Sequence, residues 1–227
     1  ELNIAQAIPL ALHHFFPRFN ALLQSIPDFR DEQKLTYSSA HLIHLGILMF
    51  LLQSGSRCQL RRQRGTAAFK KNLLALSGSE EDFVADPDTM NYFLEGLDSD
   101  YLGAISCWMV KQLLAKRALE SFRFFEEYKI AIDATKIFSF KERHCPHCTK
   151  MEHSTGGITY FHYVLEAKLI AGDFAFSIAS EFVENPGEIF DKQDCELKAA
   201  YRLLPRIKEL FPRLKICLLA DGLYLNQ

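Results

Sequence analysis

Long apolar runs are missing from this chain of 227 residues: the longest, Leu42 to Leu52, is broken by His44 and Gly46 and falls short of the roughly 20 residues that span a bilayer. It reads as a buried helix, and no membrane partner is expected. The N-terminus lacks the basic region, apolar stretch and small-residue site that make up a signal-peptide pattern. Cysteine is sparse and scattered. Only Cys145 and Cys148 of the six lie close together, which argues against the disulfide framework of a small secreted domain and points to a reducing, cytoplasmic setting. An excess of one charge is absent too: 26 Lys and Arg stand against 28 Asp and Glu, net −2, which excludes a uniformly cationic nucleic-acid coat but not local patches. No internal repeat or low-complexity segment is found.

The composition is that of a globular protein, 48% hydrophobic and 24% charged, enough for one large domain or two small ones. Because the chain starts at Glu1 and stops at Gln227, six residues (227 minus 221) after Asp221, it is expected to be a fragment. The first half is helical in pattern. Ser38 or Ser39 caps a helix with Leu42, Leu45, Met49 and Leu52 at three- and four-residue spacing, ending near Gly55. Arg57, Arg61, Arg62, Arg64, Lys70 and Lys71 follow with no acid among them, a basic stripe. It serves either as a phosphate-binding surface or as a solvated helix face balanced by Glu80, Glu81 and Asp82. Asp86-Pro87 starts a further helix with Met90, Phe93, Leu94 and Leu97 on one face. Asp98-Ser99-Asp100 ends it and caps the next, whose stripe is Leu102, Ile105, Trp108, Met109 and Leu113. The pair fits a helix-turn-helix and equally any helical hairpin. Trp108 is expected in the core.

From Tyr128 the period changes to that of strands, which predicts a helical region over 1–122 and a second domain over 123–227. Tyr160 to Ile170 alternates, with Phe161, Tyr163, Leu165, Ala167 and Leu169 on one face and His162, Glu166 and Lys168 on the other. The turn Ala171-Gly172-Asp173 leads into a partner strand, Phe174 to Val183. Asp194 to Leu210 is a predicted helix with Leu197, Tyr201, Leu204 and Ile207 on its apolar side and a bend at Pro205. The final strand, KICLLADGLY, carries Asp221, as YKIAIDATKIF carries Asp133.

The predicted fold is therefore α/β: a mixed sheet of three antiparallel strands, a crossover helix and a strand parallel to the first. If the last strand lies beside the first, Asp133 and Asp221 emerge together although 88 positions (221 minus 133) separate them. Two carboxylates at such an edge suit Mg²⁺ or Mn²⁺ and phosphoryl-transfer chemistry. The alternative is that both are helix caps or turn formers after strands, since Asp-Gly is a common turn signal.

At these residues the chain resembles bacterial insertion-sequence transposases with a DDE catalytic triad on an RNase H-like core. AIDATKIFSF, HCPHC, YFHYVLEAKLI, SEFVENP, DKQDCELKAAYRLLPRIKELFPRL and ICLLADGLY carry the resemblance, with LTYSSAHLIHLGILMFLLQSGSR and DPDTMNYFLEGLD in the helical half. It implies that Asp133 and Asp221 are the first and second catalytic acids and jointly hold Mg²⁺. The third acid, a glutamate on a later helix, is expected past Gln227. Glu166, Glu181 and Glu184 lie in the wrong part of the sheet order to replace it. The partners implied are double-stranded DNA, as transposon terminal repeats and target, and a second copy in the complete protein, at the bacterial nucleoid. Two other readings stay open: a non-catalytic DNA-binding remnant, and an RNase H-like nuclease.

Cys145 and Cys148, within His144-Cys145-Pro146-His147-Cys148, form a Cys-x-x-Cys knuckle of the kind zinc favours, and His153 and His162 are near enough in sequence to complete a tetrahedron. The alternative is a metal-free polar hairpin tip. A redox role is disfavoured because no helix start follows the pair. Glu166 is expected to be a paired surface carboxylate, with metal or DNA contact the lesser reading. Cys58, Cys107, Cys195 and Cys217 are read as ordinary core or surface residues.

Overall fold

The structure, a computed structural model, describes residues 4–78, 83–142, 145–183 and 195–225. Two compact units form, Glu1–Ile105 and Ser106–Gln227. Among the described residues, no helix is long and apolar enough to cross a membrane.

The first unit is helical: α1 (Ile4–Phe15), α2 (Phe19–Gln24), α3 (Ser39–Leu51), α4 (Arg57–Gln63), α5 (Ala67–Ser77), α6 (Pro87–Gly96) and the start of α7 (Ser99–Ala115). Local chemistry sets the ends. The Ser38 hydroxyl accepts the His41 amide at 3.2 Å at the start of α3. The Asp86 carboxylate accepts the Asp88 amide at 3.0 Å, with Pro87 in the first turn of α6, where its missing N–H costs nothing. Leu42, Leu45, Leu60 and Phe93 are fully buried in this unit. So is His44, whose ring lies 2.7 Å from the Ala40 carbonyl and 3.0 Å from Asn20 Oδ1; burial pushes its pKa down.

The two units part within α7, ahead of the change in periodicity at residue 123, because Cys107 and Val110 already belong to the core of the sheet. That sheet has five strands among the described residues: β1 (Tyr128–Phe140), β2 (Thr149–Glu152), β3 (Ile158–Ala171), β4 (Phe174–Val183) and β5 (Ile216–Leu219). β3 pairs antiparallel with β1, β2 and β4, and β5 pairs with β1 in parallel. The alternation in β3 holds: Leu165, Ala167 and Leu169 are fully buried, and Ile130 and Ile132 of β1 join them. The Gly172-Asp173 turn closes the β3–β4 hairpin. Gly172 has φ +60°, and a Cβ there would meet the Phe122 ring at 2.8 Å, so both conformation and space require glycine.

β2 escapes sequence reading because it is four residues of mixed polarity, Thr149 to Glu152, paired with β3. The crossover helix α8 (Glu196–Leu210) starts just after Asp194, which lies outside the described residues, and runs through Pro205. Its buried face matches the expected one at Ile207 and differs elsewhere. Ala199, Ala200, Leu203 and Ile207 pack on the sheet, while Tyr201 and Leu204 are 63% and 37% exposed. The reason is steric: two alanines let the helix approach the sheet closely, whereas a tyrosine ring would hold it off, so the small residues mark the core side. Replacing Leu203 with alanine is expected to destabilise the protein by about 2–5 kcal/mol, from lost burial and the cavity left behind. Leu204→Ala should cost less than about 1 kcal/mol. Chemical denaturation compares the two, and equal losses would put the helix face elsewhere.

Candidate functional site

Topology brings one set of groups to a common edge. β3 runs antiparallel to β1 and β4 antiparallel to β3, so β4 and β1 are co-directional, as is β5. The end of β4, the start of α8 and the end of β5 therefore share one edge. The β1–β5 register pairs Tyr128 with Ile216 and Ala131 with Leu219. Asp133 follows two residues later within β1, and Asp221 two residues after Leu219, past the end of β5. A turn of helix at Gly222–Leu225 then carries Tyr224, and Glu196 opens the first turn of α8.

The electrostatics report how these groups face one another. The Tyr224 hydroxyl donates to Glu196 Oε1 at 3.0 Å. Its phenol is pushed well above the ordinary range by burial, by that hydrogen bond and by the charges of Glu196, Asp221 and Asp133. Tyr163 on β3 is raised by burial and by the charges of Glu196 and Asp133. The two aspartates expected from sequence therefore act on one phenol. Glu196, Tyr224 and Tyr163 are the members sequence reading missed. The available signal for Glu196 was topological: a helix returning between co-directional strands starts at the edge where those strands end.

Asp133 and Asp221 are both exposed. Water reaches both carboxylates, so although apolar runs flank them neither needs a counter-ion merely to be tolerated. Glu166 is the Cα partner of Asp133 across the β1–β3 pair, and it forms an ion pair with Lys168 at 2.9 Å. Glu181 accepts from Arg202 at 2.5 Å, while Glu184 lies outside the described residues.

A second set of donors lies in the same sheet, where the segment before β2 meets β3. Cys145 Sγ and Cys148 Sγ are 3.6 Å apart, and His162 Nε2 is 3.3 Å from the first and 3.4 Å from the second. Among the described residues this is the one group of three or more His, Cys, Asp or Glu at metal-ligand spacing; Asp133, Asp221 and Glu196 do not close into such a group. His144 lies outside the described residues. His153 turns instead to Thr159, with its Nε2 2.7 Å from the hydroxyl. Burial pushes the Cys148 thiol up, which disfavours a reactive redox thiolate. None of the six cysteines forms a disulfide.

The basic stripe divides in two. Arg61 meets Asp86 at 2.9 Å and Asp88 at 2.7 Å, Arg64 meets Asp86 at 3.0 Å, and Arg57 meets Asp88 at 3.5 Å. Chiefly through Arg61, these contacts hold the Asp86 carboxyl down at about 2. Arg62, Lys70 and Lys71 are exposed to solvent. Glu80, Glu81 and Asp82, the acids expected to balance the stripe, lie outside the described residues.

Comparison with known proteins identifies no relative. No family model matches the chain, and no curated protein or solved structure does.

The geometry of the site predicts a titration. Glu196→Gln should lower the Tyr224 pKa most, since it removes the acceptor's charge, and Asp221→Asn and Asp133→Asn should each lower it further. The pH dependence of the Tyr224 ring signal in NMR measures this. No movement in either aspartate variant would show that the carboxylates do not face the phenol.

Proposed function

We propose that the second unit is an RNase H-like core in which Asp133 and Asp221 hold Mg²⁺ or Mn²⁺ for cleavage and joining of DNA strands, as in a DDE-type transposase. One observation carries the reading: β5 lies beside β1 in parallel, and each aspartate follows two residues after the last paired residues, Ala131 and Leu219. The donor set fits the ion, since exposed carboxylate oxygens are hard ligands and leave room for the waters that Mg²⁺ retains. Bound there, such a cation supplies Lewis-acid stabilisation of the charge that develops on a phosphodiester.

The chain's own residues have separable tasks. Asp133, on the long central strand, is the fixed donor. Asp221, past the end of the short edge strand, is the donor whose position depends on the turn at Gly222–Leu225. Tyr224 ties that turn to α8 through Glu196, a positioning role. In the helical unit, Arg62, Lys70 and Lys71 are the cations proposed to meet DNA phosphates. Arg57, Arg61 and Arg64 are already engaged by Asp86 and Asp88 and hold the start of α6.

A non-catalytic DNA-binding remnant is the second reading. What favours it is that both carboxylates are exposed to water and are tolerated there without an ion. The two readings part in a cleavage assay on linear DNA bearing the element's terminal repeats, with Mg²⁺. The enzyme reading expects nicking at the repeat ends that falls roughly a hundredfold or more in Asp133→Asn and in Asp221→Asn, with DNA binding kept. DNA binding without any cleavage in Mg²⁺ or Mn²⁺ would favour the remnant. Cleavage without end joining or preference for the repeats would favour a nuclease.

A further inference from the structure

We infer that Cys145, Cys148 and His162 form a zinc site, separate from the carboxylate edge, that fastens the segment before β2 to β3. Zinc is bound tetrahedrally with Zn–S of about 2.3 Å and Zn–N of about 2.0–2.1 Å, which sets edges of about 3.8 Å between two sulfurs and about 3.5 Å between sulfur and nitrogen. The three separations here are 3.6, 3.3 and 3.4 Å. The donor triangle already has the size of one face of that tetrahedron, slightly contracted.

The surroundings hold the triangle in place. Cys148 is fully buried, with its amide donating to the Cys145 carbonyl at 3.2 Å, so a tight turn sets the two sulfurs on one side. Thr149 follows directly and donates its hydroxyl to the Phe161 carbonyl at 2.9 Å, in register with Phe161 on β3. His162 is the next residue on that strand, so the pairing that starts β2 delivers the imidazole to the thiols. One nitrogen and two sulfurs select a borderline-soft ion and disfavour Mg²⁺ or Ca²⁺, which take oxygen. Binding releases the two thiol protons, so affinity falls as pH is lowered.

The site is distinct from the carboxylates. His162 and Glu166 share a face of β3 four residues apart, about 13 Å along the strand, and Glu166 stands opposite Asp133. Its consequence is structural. Four-residue β2 has no partner except β3 among the described residues, and a metal bond beside its first residue compensates for so short a ladder.

The test uses the whole chain, purified under reducing conditions without chelator, then depleted and reloaded with Zn²⁺ or Co²⁺ alone. The expected results are one zinc per chain, a sulfur-to-cobalt charge-transfer band with tetrahedral d–d absorption, and a lower melting temperature after depletion. Zinc affinity should fall about tenfold or more in His162→Ala and in Cys148→Ser, and Asp133→Asn should leave it unchanged. The cobalt spectrum of the unaltered protein decides even if a variant fails to fold. Substoichiometric zinc after reloading, a cobalt spectrum without the thiolate band, a Cys145–Cys148 disulfide under reducing conditions, or full affinity in folded His162→Ala would each overturn the inference.

Discussion

The parallel pairing of β5 with β1 is the constraint from which the rest of the second unit follows. It joins residues 88 positions apart (221 minus 133) through a short ladder from Tyr128 and Ile216 to Ala131 and Leu219. Backbone hydrogen bonds align the strands, but burial supplies most of the stability. Ile130 and Ile132 share one core with Leu165, Leu169, Leu203 and Ile207, and fully burying such a side chain is worth about 1.5–3 kcal/mol. Because α8 must descend from the edge where β4 ends and β5 must climb back, Glu196, Asp221 and Tyr224 meet at that edge. These groups reach a common edge as a consequence of topology, and the crossover helix is the element that enforces it.

Where one interaction dominates, sequence reasoning was enough. The alternation of β3, the Gly172-Asp173 turn and the caps at Ser38 and Asp86 follow from one residue's geometry or from a period of two, and the structure has all of them. Where competing groups decide, it fell short. Tyr201 and Leu204 count as apolar in any pattern, yet closeness to the sheet selects Ala199 and Ala200. The basic stripe contains no acid within itself, so the pairing of Arg57, Arg61 and Arg64 with Asp86 and Asp88, more than 20 residues on, was invisible. Several histidines lie near Cys145 and Cys148 in the chain. Only the register of β2 on β3 picks His162 and leaves His153 with Thr159.

These three outcomes share a cause. Ion pairs, helix faces and ligand sets depend on which elements become neighbours, and period and spacing encode that only through the fold. The arginine network shows the functional side of this. A guanidinium bonded to two carboxylates at an α-helix start contributes to local order and is a poor candidate for phosphate neutralisation, although by sequence it matches Lys70 and Lys71. The acids that neutralise Arg57, Arg61 and Arg64 also serve α6, since Asp86 is its capping residue.

The proposed function requires that Asp133 and Asp221 share one divalent ion. Anomalous diffraction from crystals of the protein grown with Mn²⁺ locates such an ion without reference to any activity. The account predicts a manganese peak within direct coordination distance of both carboxylates, lost when Asp133 is replaced by asparagine. Ordered side chains at both positions with no peak between them, or manganese held by one aspartate while the other points away, would contradict it.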